Sequence, residues 1–196
     1  MPISVTRPGS AGLAFCLLLL AAAPAAAGAL EDDVFETLNF VRAHPGDYAR
    51  ELRRDAGGLP GQDAEAVEEA IAALSRQPPL PPLLRDDRLD AAAEGHAAQQ
   101  SARGGVGHVG AGGETLGQRL RRQGVWAGLT AEDISYGYDN PRAVVAQLVI
   151  DSGVQSRGHR KNILNPAYQR AGVGCGPHRT QGAMCVIDFA GVLVER

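Results

Sequence analysis

The sequence predicts an α+β domain in which helices flank a mostly antiparallel sheet. Three observations carry that reading. Apolar residues recur at helical spacing through the first half of the chain, two runs of β character joined by a turn close it, and mixed elements lie between. At 196 residues the chain has room for one ordinary hydrophobic core, so a single domain is expected.

The elements follow in order. In "EDDVFETLNFVRA", Val34, Leu38 and Val41 share a helical face behind acids that suit a helix N-terminus. Pro45 in "HPGD" breaks or kinks that helix, which resumes through Tyr48 and Leu52. "DAGGLPGQD" reads as loop, and "AEAVEEAIAALSR" as a second stripe of Val67, Ala70, Ile71 and Leu74. The prolines of "QPPLPPLL" end it and form an extended connector. "DDRLDAAAEGHAAQQSA" opens on capping acids and places Leu89, Ala92, Ala93 and His96 on one side, which makes His96 a core histidine. "RGGVGHVGAGGE" is glycine-rich loop, and "ETLGQRLRRQG" is a short helix with Gly124 as its C-cap. "LTAEDISYGY" has β character. In "NPRAVVAQLVID", Asn140 caps a helix with Pro141 at its first position and Val144, Val145 and Leu148 as its stripe. "RAGVGCG" and "AMCVIDFAGVLV" read as two strands joined at "PHRTQG".

Residues 1–27 read as a signal peptide: one positive charge, the apolar run "AGLAFCLLLLAAA", and small residues for cleavage near Ala27. The run is short for a membrane span of about 20 apolar residues, and Pro24 interrupts its end. Bulky Phe15 argues against lipid attachment at Cys16. The mature domain is then 28–196, with its core between about 34 and 191, carrying 18 basic and 22 acidic side chains for a charge of −4. So balanced a chain is not expected to bind nucleic acid. Two cysteines remain, Cys175 and Cys185, and in an exported protein such a pair reads as one disulfide, which removes a cysteine nucleophile.

Four residues invite a chemical reading. Extending the stripe Val144, Leu148 by three lands on Asp151, an acid either on the core face or in a solvated cap if the helix stops at Ile150. A carboxylate there opposes the helix dipole and calls for a cation or donor nearby, and His159 in "SRGHRKN" is a candidate. His108 sits among glycines that let it enter a cleft or stay in solvent, and Glu132 lies between Leu129 and Ile134 as an inward or exposed acid. Two imidazoles and two carboxylates have the composition of a water-bridged or metal-binding cluster.

In order, "LNFVRAHPGDYA", "LDAAAEGHAAQQSARGGVGHVG", "RLRRQG", "AEDI", "SRGHRKNILNP" and "RAGVGCG…AMCVIDFAG" resemble the CAP superfamily, the cysteine-rich secretory, antigen 5 and pathogenesis-related proteins, in its bacterial SCP-like branch. The resemblance spans roughly residues 34 to 191 and implies a three-layer α-β-α sandwich with a large cleft. It places the family's cavity tetrad on His108, Glu132, Asp151 and His159, and implies structural roles for His44 and His96 and a turn position for His178. Three departures stand out: Asp133 where the family has Asn, Leu148 where it has Trp, and the added "SGVQSR" before Gly158.

The expectation is a secreted or periplasmic bacterial monomer. Its tetrad would bind Zn²⁺ or another divalent cation beside a groove for a lipid or sterol, a peptide or a protein. Two alternatives stand beside it. One is a metal-dependent hydrolase, although the chain has no GxSxG elbow and no HExxH pair, and no residue is assigned a catalytic role. In the other the tetrad is purely structural.

Overall fold

The computed structural model describes Met1 and residues 27–55 and 61–194. The expected signal segment lies outside the described residues except for Met1 and Ala27, and so does the middle of the "DAGGLPGQD" loop.

Among the described residues, seven α-helices surround a four-stranded sheet. They are α1 (Ala27–Ala43), α2 (Pro45–Asp55), α3 (Ala64–Arg76), α4 (Asp87–Arg103), α5 (Leu116–Arg122), α6 (Pro141–Ile150) and α7 (Gly158–Ile163). The strands are β1 (Leu84–Arg85), β2 (Thr130–Tyr136), β3 (Arg170–His178) and β4 (Gly182–Ala190), in spatial order β1-β3-β4-β2. All pairings are antiparallel but the short β1–β3 contact, as the sequence suggested. Local chemistry sets the helix starts. The Asp63 side chain accepts the N–H groups of Glu65 and Ala66, Asn140 accepts that of Ala143 ahead of Pro141, and Thr115 and Gln118 form a capping box.

Period-two alternation divides the sheet into two faces. Ala171, Val173, Ile187 and Phe189 pack on one side with the apolar stripes of α1, α2, α3 and α6. Met184, Val186 and Ala190 face the other way, against Leu89, Ala92, Ala93 and Ala97 of α4. The result is three layers, α-β-α. Helix α4 lies directly on β3 because Gly172 and Gly174 face it. A Cβ at Gly172 would stand 2.1 Å from the Asp90 nitrogen, and one at Gly174 2.2 Å from that of Glu94.

Beyond β1, the outer edge of β3 is closed by side chains. Val173 donates its N–H to Asp90 Oδ1 (2.8 Å), Cys175 donates to Glu31 Oε1 (3.1 Å), and the next outward position is Pro177, which has no N–H. At the opposite edge the Gln147 amide accepts from Tyr136 N and donates to Tyr136 O, each at 3.2 Å. Cys175 and Cys185 oppose each other across β3 and β4 with Cα atoms 4.1 Å apart, and they form the expected disulfide.

Three details differ from the sequence reading. The junction around His159 contains α7, whose six residues are too few to show a period. β4 ends at Ala190, and "VLV" beyond it contributes only a bridge between Leu193 and Ala127. The connector after α3 ends in β1. Among the described residues no helix is long and apolar enough to cross a membrane.

The α4–β3 contact makes two glycines behave oppositely. Gly174→Ala forces backbone apart and is expected to cost about 3 kcal/mol or more, lowering Tm by roughly 6–12 °C. Gly95, inside α4 with open space around it, should become about 0.5–1 kcal/mol more stable as Ala. Thermal denaturation of both variants checks the pair.

Candidate functional site

The glycine-rich loop after α4 is held at the residue before His108. His96, fully buried on α4, donates from Nε2 to Gly107 O (3.0 Å), Gln100 donates to the same oxygen (2.7 Å), and Gly107 N donates to the Tyr136 hydroxyl (2.8 Å). Burial pushes the His96 imidazole below its ordinary pKa, in keeping with a neutral ring. Thus His96 is structural, as expected, and its task is to position His108.

His108 then donates from Nδ1 to Glu132 Oε1 at 2.9 Å. The Glu132 side chain is 1% exposed, while that of His108 is 54% exposed, so the ring forms the outer member of the pair. Arg119 completes the unit. Its buried guanidinium donates to Glu132 Oε2 (2.5 Å) and to His108 O (3.0 Å). Burial alone would raise the Glu132 carboxyl, but the His108 hydrogen bond and the Arg119 charge bring it below its usual range. Sequence reasoning did not single out Arg119. The signal was present, since Leu116, Arg119 and Leu120 lie at i, i+3 and i+4, placing that arginine on the apolar stripe of α5.

Asp151 and His159 form a second pair. Helix α6 stops at Ile150, and Asp151 is its C-cap with φ 59°, a left-handed conformation that a non-glycine residue adopts at a cost of about 1 kcal/mol. Both alternatives from the sequence hold in part: the helix ends there, yet Asp151 is 2% exposed. Its Oδ1 accepts from His159 Nδ1 (2.7 Å) and its Oδ2 from His159 N (2.9 Å), which offsets the strain and satisfies a donor in the first turn of α7. Burial would lower the His159 pKa, but the hydrogen bond to Asp151 and the charges of Asp133 and Asp151 raise it.

The four residues are thus brought into two carboxylate–imidazole pairs. Alternation along β2 sends Glu132 toward α4 and Asp133 toward α6 and α7, where Asn162 Nδ2 donates to Asp133 Oδ1 (2.7 Å). The pairs therefore flank this edge strand from its two faces. With Nδ1 engaged in each ring, the nitrogen free to act as ligand or base is Nε2. Among the described residues, no three His, Cys, Asp or Glu side chains gather in a way that would hold a metal ion. Each carboxylate is already engaged by its own imidazole, so the four side chains do not form a closed four-ligand cage.

Two further acids were missed as site residues. Asp188 stands opposite Glu132 on β4 with neither oxygen hydrogen-bonded, and burial followed by the Glu132 charge raises its pKa well above the usual range. Its signal was the α4-facing row Met184, Val186, Asp188, Ala190, apolar but for the acid. Asp133, noted in the sequence only as a departure from Asn, is pushed up to about 8 by burial.

The matches with known proteins agree with the fold. Residues 40–189 match the family model "CAP: Cysteine-rich secretory protein family". The chain belongs to that family. Two solved bacterial structures share its fold. One is an extracellular protein containing an SCP domain from Bacillus anthracis str. Ames, 21% identical with a TM-score of 0.57, over 85% of this chain and 41% of that one. The other is a cysteine-rich secretory protein from Staphylococcus aureus subsp. aureus Mu50, 14% identical with a TM-score of 0.51, over 87% and 40%. The CAP chain spans about two fifths of the length of either. No match was found among curated proteins.

Asp133 gives the site a measurable pH signature. Its folded pKa of about 8 lies above the ordinary 3.8, so the fold retains a proton that the unfolded chain loses. Stability therefore falls as pH rises from about 4 to about 8 and levels off above. Asp133→Asn, which keeps the acceptor for Asn162, should melt higher than the parent by about 10 °C at pH 8, with the gap closing toward pH 4. A pH series of thermal denaturation curves checks this.

Proposed function

We propose that this CAP domain is an exported binding module whose two carboxylate-backed histidines, His108 and His159, take a divalent cation such as Zn²⁺ at the rim of a ligand groove. The observation that carries the reading is the shared tethering: each ring is fixed through Nδ1 by a buried carboxylate, Glu132 or Asp151, which leaves Nε2 without a protein partner. Carboxylate–histidine arrangements of this kind fix the tautomer and raise the basicity of an imidazole ligand. Two protein nitrogens make an open, exchangeable site rather than a closed structural one. A bound cation there supplies a Lewis-acidic point for a carbonyl, carboxylate or phosphate of a peptide, lipid or protein ligand. Export is proposed from the leader-like residues 1–27 and from the extracellular or secretory descriptions of both solved relatives. Among the described residues no hydroxyl is hydrogen-bonded to either ring, so a hydrolase built on this site would have to use a metal-activated water rather than a serine nucleophile.

A second reading is favoured by one contact. The Asp151 carboxylate ties the end of α6 to the start of α7, so this pair also acts as a clamp of the fold. The two roles are separable by experiment.

Calorimetric titration of the protein with Zn²⁺, Mn²⁺ and Ca²⁺ should show uptake of one ion. His108→Ala and His159→Ala should each abolish it, while Glu132→Gln and Asp151→Asn weaken it about 10- to 100-fold. Absence of binding for all three ions, or unchanged binding in either histidine variant, rejects the metal. A folded variant lacking both imidazoles that still binds its ligand normally would leave the clamp as the sole role.

A further inference from the structure

Strand β2 has a main-chain edge that the fold leaves open beside the histidine pairs. Gly191 donates its N–H to Leu129 O and Gly137 donates to Ala183 O, each at 2.9 Å, which fixes the ladder between β2 and β4. Odd-numbered residues of β2 therefore turn their N–H and C=O groups toward β4, and even-numbered ones turn them outward. Tyr136 follows this parity, since the Gln147 amide takes both of its outward groups. Ile134 and Glu132 come next along the same edge. Among the described residues nothing pairs with the outward N–H or C=O of either.

The exposure of Glu132 agrees. The whole residue is 6% exposed and its side chain 1%, so what stays open is mainly main chain. Elsewhere the sheet is sealed: β1, Asp90, Glu31 and Pro177 close the far edge, as proteins usually do with strands that could pair again. Four unpaired groups at period two, on an edge otherwise capped, fit the main chain of another extended segment. A residue paired with Glu132 or Ile134 sends its side chain to the same face as theirs, toward α4. On that face stands His108, in a loop whose Val106 and Val109 are 60% and 62% exposed and offer apolar surface to such a side chain.

We propose that β2 accepts an extended peptide as a fifth strand, paired through the main chain of Glu132 and Ile134 and flanked by His108 and His159. This peptide is the ligand of the binding module proposed above, and it depends on that module's groove but not on its cation.

The probe is acetyl-Lys-Val-Thr-Val-Thr-Lys-amide, titrated into the protein in EDTA and followed by calorimetry and by amide hydrogen exchange. At saturation, exchange should slow about tenfold or more at Glu132 and Ile134, and stay unchanged at Ala131, Asp133 and Ser135, whose N–H groups already pair with β4. Methylating the main-chain nitrogens of both peptide Val residues should weaken binding about tenfold or more, whereas methylating those of both Thr residues, which face solvent, should leave it within about twofold. No saturable binding, methylated forms that bind alike, or protection that does not alternate along β2 would each overturn the proposal. Titration with Zn²⁺ separates the two readings. Peptide binding in EDTA by a protein that takes up no Zn²⁺ removes the metal and keeps the added strand, and Zn²⁺ uptake without peptide binding does the reverse.

Discussion

A single buried guanidinium holds the first histidine pair in place. Arg119 reaches from α5 to the Glu132 carboxylate on β2 and to the main-chain oxygens of His108 and Glu114. One planar group thus joins a helix, an edge strand and a glycine-rich loop that has little cohesion of its own. Without that charge, a carboxylate buried as deeply as Glu132 would take up a proton, and a neutral acid accepts a weaker hydrogen bond from His108. The orientation of the imidazole therefore depends on the pairing of the acid behind it.

The same device recurs. Buried Arg42 donates to the carbonyls of Pro81, Ile163, Asn165 and Tyr168, which pins the proline connector and the segment leading into β3 against α1. Arg160 donates to the Val149 and Ile150 carbonyls at the end of α6 and pairs with Glu69 of α3. A cation at a helix C-terminus is favourable for the dipole and satisfies carbonyls the helix cannot. Eighteen of the nineteen basic residues are arginine, and these three are used for their fork of donors as much as for their charge.

Much of this fold was legible because its helices advertise themselves locally. The stripes of α1, α3 and α6, the proline break between α1 and α2, and the cap Asn140 are all encoded within a few residues. The two strands of the closing hairpin were visible from alternation, though alternation could not show where pairing stops. Helix α7 and strand β1 were too short to carry a period. The site was legible only as a set of residue types, ordered by resemblance. That His108 meets Glu132 from 24 residues away, or that Arg42 meets Tyr168 from 126, is fixed by packing that no local pattern records. Arg119 and Asp188 did leave a trace, as charged residues on apolar faces, and such positions reward attention because burial must be compensated.

The two histidine pairs are built by different means, and that difference bears on how the domain works. Glu132 lies in a regular strand and needs a distant arginine, so the His108 pair assembles only when α5, β2 and the loop have all docked. Asp151 and His159 are eight residues apart and share two hydrogen bonds, with the left-handed backbone at Asp151 turning its carboxylate onto the first turn of α7. The second pair is thus local and forms with the α6–α7 junction. Exposure follows the same division, with 54% of the His108 side chain open against 22% of His159. One imidazole thus stands on a loop that long-range tertiary contacts hold, and the other on a short helix whose preceding turn is fixed locally.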